Sequence, residues 1–83
     1  MNKIFLDARE MEYPAPLQLS MEYLMEMGND DYLYMINNKK PIPLLEIVKG
    51  KGFSLFMHQD KDESWHILIS KNLDINLEDL LDV

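Results

Sequence analysis

The chain has 83 residues, 47% of them hydrophobic and 28% charged, which supports one small core and excludes a second domain. Eight Lys and Arg against 15 Asp and Glu give a net charge of −7, a balance that repels nucleic-acid backbones and anionic membranes. Zero Cys removes disulfides, thiolate metal sites, iron–sulfur ligation and persulfide chemistry, and with no long apolar run or leader-like pattern a soluble cytoplasmic protein is expected.

Lys3 to Asp7 (KIFLD) is β-prone and ends at the polar stretch Ala8-Arg9-Glu10-Met11-Glu12, which gives a first strand. Tyr13-Pro14-Ala15-Pro16 holds the chain extended, and Pro16 suits a first helical turn because its missing N–H costs nothing there. Leu17, Met21, Leu24, Met25 and Gly28 then recur at helical spacing, with Gln18, Glu22 and Glu26 opposite, so a helix is predicted over Pro16 to Met27 with Met21 and Met25 on its buried stripe. Asp31 to Asn37 (DYLYMIN) reads as a second strand. Pro41-Ile42-Pro43 repeats the proline device before a helix of about two turns that carries Leu44, Leu45 and Val48 inward and is closed by Gly50.

Phe53 to Gln59 and Ser64 to Lys71, around the polar loop Asp60 to Glu63, form a hairpin. Pairing Met57 with Trp65 sends Phe53, Leu55, Met57, Trp65, Ile67 and Ile69 toward the helices. The other face then carries Ser54, Phe56, His58, His66, Leu68 and Ser70, joined by Tyr32 and Tyr34. It is too apolar to stay bare, so the tail or a partner covers it.

The tail, residues 72–83, places Leu73, Leu77, Leu80 and Leu81 at helical spacing among Asp74, Glu78, Asp79 and Asp82, with Asn76 as its N-cap. It either lies on its own domain or docks into a partner whose groove has a basic rim. Right-handed crossovers place both helices on one side of the sheet. The expected fold is therefore α/β (α+β): a two-layer βαβαββ sandwich over residues 1–71 with a mixed four-stranded sheet and two helices on one face. A short C-terminal helix lies in the acidic amphipathic tail.

Leu6-Asp7, Met11, Tyr13-Pro14-Ala15-Pro16, Gly28, Tyr32 to Ile36, Ile42-Pro43, Gly52, Trp65 and Ile69 to Lys71 fall in an order that resembles the TusA and SirA-like sulfur carriers. That family's hallmark is Cys-Pro-x-Pro at the start of the first helix. The resemblance covers roughly residues 3–71 and implies the same βαβαββ sandwich. It also implies a docking surface at the motif, where helix N–H groups favour a thiolate. Tyr13 stands at the Cys position, and a phenol cannot hold a sulfane sulfur, so sulfur carriage is excluded for this chain. The chain is similar to an uncharacterised branch of the family that lacks the thiol. Glu10 replaces a glycine usual before the motif, and with Glu12 it opposes an anion at this spot.

Glu12, Tyr13, Pro14 and Pro16 form a stiff recognition element if Tyr13 is exposed, or a ring packed over the first helix if it is not. Leu77, Leu80 and Leu81 are a second candidate interaction surface. Lys39 and Lys40 precede the second helix where a phosphate is conceivable, although Pro41 and Pro43 each delete an N–H donor. His58 and His66 share the outward face as diagonal neighbours and, with Asp60 or Asp62, either hold a metal jointly or are ordinary surface histidines. The methionines read mainly as core filler.

No nucleophile–base set, inward carboxylate pair or Gly-rich phosphate loop is present, so no enzyme, resident cofactor or metal is expected. The expected function is a non-catalytic protein-interaction or regulatory module, monomeric or weakly dimeric, with a protein partner and neither nucleic acid nor membrane. The alternative is a flavin or nucleotide binder, with the ligand against the aromatic outward face and its phosphate on Lys39 and Lys40.

Overall fold

In the computed structural model, which describes residues 1–83, the elements follow the order β1 (Asn2–Asp7), α1 (Ala15–Glu26), β2 (Asp31–Asn37), α2 (Ile42–Gly50), β3 (Ser54–Gln59) and β4 (Trp65–Ser70). A single 3-10 turn at Leu77–Leu80 follows. The sheet runs β1-β2-β4-β3, with β1 parallel to β2 and β4 antiparallel to both neighbours. This is the βαβαββ sandwich that the alternating proline and glycine punctuation predicts. No helix is long and apolar enough to cross a membrane.

Alternation along β2 sorts the two faces. Leu33 and Met35 enter the helix-side core with Leu6, Ile67 and Ile69, while Tyr32 and Tyr34 join Leu68 on the opposite side. Residues such as Leu33 and Val48 are fully buried, so truncating one of the larger aliphatic chains to Ala costs about 2–5 kcal/mol. Helix α1 presents Pro16, Ser20 and Leu24 to the sheet, and the Ser20 hydroxyl donates to Met35 Sδ at 3.7 Å. Met25, placed on the buried stripe by the sequence pattern, is instead 80% exposed. Apolar residues occur on several sides of α1, so periodicity alone located the stripe one position off.

Helix α2 ends at Gly50, as the sequence predicts, with Lys51 as its C-cap. Gly52 follows with a φ of 71°, a left-handed conformation that costs a glycine nothing. Gly52 N–H donates to the Lys49 carbonyl and Phe53 N–H to the Val48 carbonyl, a Schellman closure.

The hairpin pairs Met57 with Ile67, His58 with His66 and Gln59 with Trp65, so the expected Met57–Trp65 pairing is two residues out of register. The cause is the loop. Asp60 N–H still donates to the Ser64 carbonyl at 2.8 Å, which leaves only Lys61 to Glu63 to turn the chain, with Glu63 at a φ of 72°. Asp62 braces the turn by accepting the Ser64 N–H and hydroxyl. An offset of two preserves the face of every side chain, so Phe53, Leu55, Met57 and Trp65 do pack toward the helices.

The short C-terminal helix expected in residues 72–83 is present as a single 3-10 turn, Leu77–Leu80, with no longer amphipathic helix around it. Asn76 caps this turn, its side chain accepting from Glu78 N–H, and the tail crosses the back of the sheet as a strap. Leu77 is buried and Leu80 and Leu81 are half-buried against Tyr32, Tyr34, Phe56 and Leu68. A short tail of tight turns follows the flat sheet, which a longer rigid helical stripe of the same leucines would not.

Candidate functional site

Two places collect the chemistry-bearing residues. The first lies where β1 and β2 end and α1 and α2 begin. Ala8, fully buried, pins the end of β1 through its N–H to the Ile36 carbonyl at 2.8 Å. The chain then leaves the sheet as the β1–α1 loop. Arg9 turns back onto Asp7, donating Nε and Nη2 at 2.9 and 2.7 Å, and these bonds hold the Asp7 carboxyl down at about 2. Asn38, in the β2–α2 loop, donates Nδ2 to the Arg9 carbonyl at 2.6 Å and so ties the two loops together.

Between these loops lies a cleft of about 510 Å3, in the size range of small-ligand and side-chain pockets. Pro16, Leu17, Met35 and Leu44 supply apolar lining, and Glu12, Tyr13, Lys39 and Lys40 supply polar and aromatic lining. Tyr13 is 72% exposed, and the Tyr13–Pro14 peptide bond is cis. Glu12 and Pro14 are exposed with it, whereas Pro16 is buried. The sequence-predicted pair Lys39 and Lys40 therefore shares one cleft with Tyr13, a convergence that residue spacing does not reveal. Lys40 Nζ sits 5.5 Å from the centre of the Trp65 ring.

The second place is the back of the sheet. His66, only 6% exposed, is no surface histidine: its Nδ1 lies 2.7 Å from the Tyr34 hydroxyl and its Nε2 3.7 Å from an Asp60 carboxylate oxygen. The Tyr34 oxygen also accepts the Asp82 N–H at 3.0 Å, and Lys3 is ion-paired with the Asp82 carboxylate, its Nζ 4.5 Å from the centre of the Tyr34 ring. Burial pushes the Tyr34 phenol up. His58 and His66 are direct cross-strand partners with rings 6.4 Å apart. No group of three or more His, Cys, Asp or Glu side chains is placed to hold a metal ion. This network was missed by sequence reasoning, and its only signal there was an outward histidine on the same face as two tyrosines.

Leu77, Leu80 and Leu81 face the chain's own sheet and are not an outward docking surface in this structure. The aromatic back face with Tyr32 and Tyr34 is covered by them, while Lys39 and Lys40 lie at the cleft on the other side, so no flavin or nucleotide can rest on that face and reach those lysines.

A mixed sheet in β1-β2-β4-β3 order with both helix starts at one end defines a SirA-like sandwich. The SirA-like protein of Desulfitobacterium hafniense superimposes on 83% of this chain and 99% of its own with a TM-score of 0.72 at 15% identity, a likeness of fold. Residues 5–71 match the family described as "Uncharacterized conserved protein (DUF2249)", and the chain belongs to that family. No curated protein matches it.

Proposed function

We propose that this protein is a non-catalytic protein-interaction module of the cytoplasm, built on the sandwich of the sulfur carriers but from a branch that lacks the reactive thiol. The observation that carries this reading is Tyr13: just before α1, it is 72% exposed and borders a cleft of about 510 Å3. An exposed aromatic on a backbone stiffened by Pro14 and Pro16 loses little backbone freedom on binding, which favours interfaces. With no thiol anywhere, the same surface retains recognition without group transfer. The buried His66 lies on the far side of the sheet, so it serves the fold and not a substrate.

The test is affinity capture with the full chain, with Tyr13→Ala and with Met25→Ala as an exposed control elsewhere. The reading expects partners of the parent chain to be lost with Tyr13→Ala and kept with Met25→Ala. Identical partner sets for all three proteins would refute it.

A further inference from the structure

The sheet has two edges, and they are finished differently. Asn2 N–H donates to the Asp30 carbonyl and Ala8 N–H to the Ile36 carbonyl, so the even residues of β1 serve β2. The main-chain groups of Lys3, Phe5 and Asp7 therefore face outward. Charge guards that edge: Lys3 is ion-paired with Asp82 and Asp7 with Arg9. A strand arriving there would strip water from these groups, which opposes pairing.

The other edge is β3. Asp60 N–H donates to the Ser64 carbonyl, which fixes the parity of the ladder: Ser54, Phe56 and His58 exchange bonds with β4. The N–H and C=O groups of Leu55, Met57 and Gln59 then face outward, and no atom of the chain bonds to them. Phe53 to Gln59 contains no Lys, Arg, Asp, Glu, Pro or Gly, and its register with β4 runs without a bulge. The usual protections of an edge strand are thus missing from β3. The strap does not supply them, because its hydrogen bond to β3 runs from Ser54 Oγ to the Asn72 carbonyl.

The charges flanking β3 select what fits. Asp60, Asp62 and Glu63 follow its end, with Lys61 among them. Lys49 and Lys51 precede its start, and Lys71 Nζ lies 5.8 Å from the centre of the Phe53 ring. Glu78 of the strap, beside Ser54 and Leu55, offsets part of that basic charge. An antiparallel copy of β3 lays the acidic end of each strand toward the basic start of the other, whereas a parallel copy sets like against like.

We infer that β3 pairs antiparallel with β3 of a second copy of this chain, about a two-fold axis at Met57, joining the two four-stranded sheets into one. Leu55 then exchanges main-chain bonds with Gln59 of the second copy, and Met57 with its own counterpart. Such a contact uses the same patch on both copies and closes at the dimer, leaving outermost only the charged β1 edges. Tyr13 takes no part in it.

The experiment is sedimentation velocity of the full chain between about 10 μM and about 1 mM, with amide shifts of 15N-labelled protein followed over the same series. The expected result is a reversible species of twice the 9.8 kDa chain mass, with concentration-dependent shifts at Leu55, Met57 and Gln59. Gln59→Pro removes an exposed residue's N–H that the monomer does not use, and it is expected to weaken the dimer roughly tenfold or more with the monomer's spectrum retained. Lys51→Glu, exposed and outside the strand, is expected to weaken it several-fold, and this variant with the shift map decides the matter if Gln59→Pro does not fold. A monomer at every concentration, an undiminished dimer in a folded Gln59→Pro or in Lys51→Glu, shifts centred on β1 or on Tyr13, or assemblies that grow beyond the dimer would each overturn the inference.

Discussion

The two faces of the β2 strand end in opposite conditions. Behind the sheet, Leu77, Leu80 and Leu81 cover Tyr32, Tyr34 and Leu68, and no fully buried side-chain nitrogen or oxygen lacks a partner: Tyr34 pairs with His66, Asp82 N–H with Tyr34, and Lys3 with Asp82. At the cleft, on the helix side, the chain leaves a tyrosine 72% exposed and an exposed lysine, Lys39, without an ion pair. Both regions are rich in aromatic and charged residues, so composition does not separate them. Satisfaction of donors and acceptors does, because a closed polar network stabilises the fold and an open one is available to a second molecule.

The strongest test of this contrast attacks the closed side. Leu77→Asp puts a carboxylate among buried tyrosines and aliphatic chains and is expected to cost about 3 kcal/mol or more, measured by urea unfolding. A cost near zero would mean that the strap does not seal the face. Tyr34→Phe keeps the ring but strands His66 Nδ1 and the Asp82 amide, with an expected loss of about 1–3 kcal/mol in the same assay.

On the open side the prediction reverses. Tyr13→Ala is expected to change stability by no more than about 0.5 kcal/mol, because the ring contributes little burial to the fold. A larger loss would show that Tyr13 is structural and would dissolve the contrast. The smallest effect belongs to the loop that frames the cleft. The Asp7 carboxyl sits at about 2, below its ordinary value of 3.8, so its contribution to stability is present above the ordinary value and is lost as pH falls through about 2. Arg9→Ala is expected to return the Asp7 titration toward the ordinary value, read by carboxyl chemical shifts, with little change in stability at neutral pH because the pair is at the surface.

Much of the architecture was legible in the sequence because punctuation and period agree there. Pro14, Pro16, Pro41 and Pro43 mark both helix starts, and strict alternation in β3 and β4 assigned every hairpin side chain to its correct face despite a register two residues off. The errors have physical sources. Met25 fell outside the core because the helix carries more apolar residues than the sheet can cover. The tail's leucines repeat with a helical period, but the surface they meet is a flat sheet, and tertiary packing overrode the local pattern.

For the candidate site, Tyr13 was legible through the Tyr13-Pro14-Ala15-Pro16 run before a helix, and Lys39 and Lys40 through their place before the next one. That all three line one cleft depends on β1 and β2 being adjacent and parallel, which brings two loops distant in sequence to one edge. The pairing of His66 with Tyr34 depends likewise on β2 and β4 being neighbours, and no motif encodes it.

The central claim, a sealed back and an open cleft, is tested most directly by solvent paramagnetic relaxation of the full chain, recorded by NMR with a neutral gadolinium chelate. The account predicts strong relaxation of Tyr13 and Lys39, and protection of Tyr32, Tyr34, Leu68 and Leu77 comparable to that of Leu33 in the helix-side core. Equal relaxation of Tyr34 and Tyr13 would contradict it.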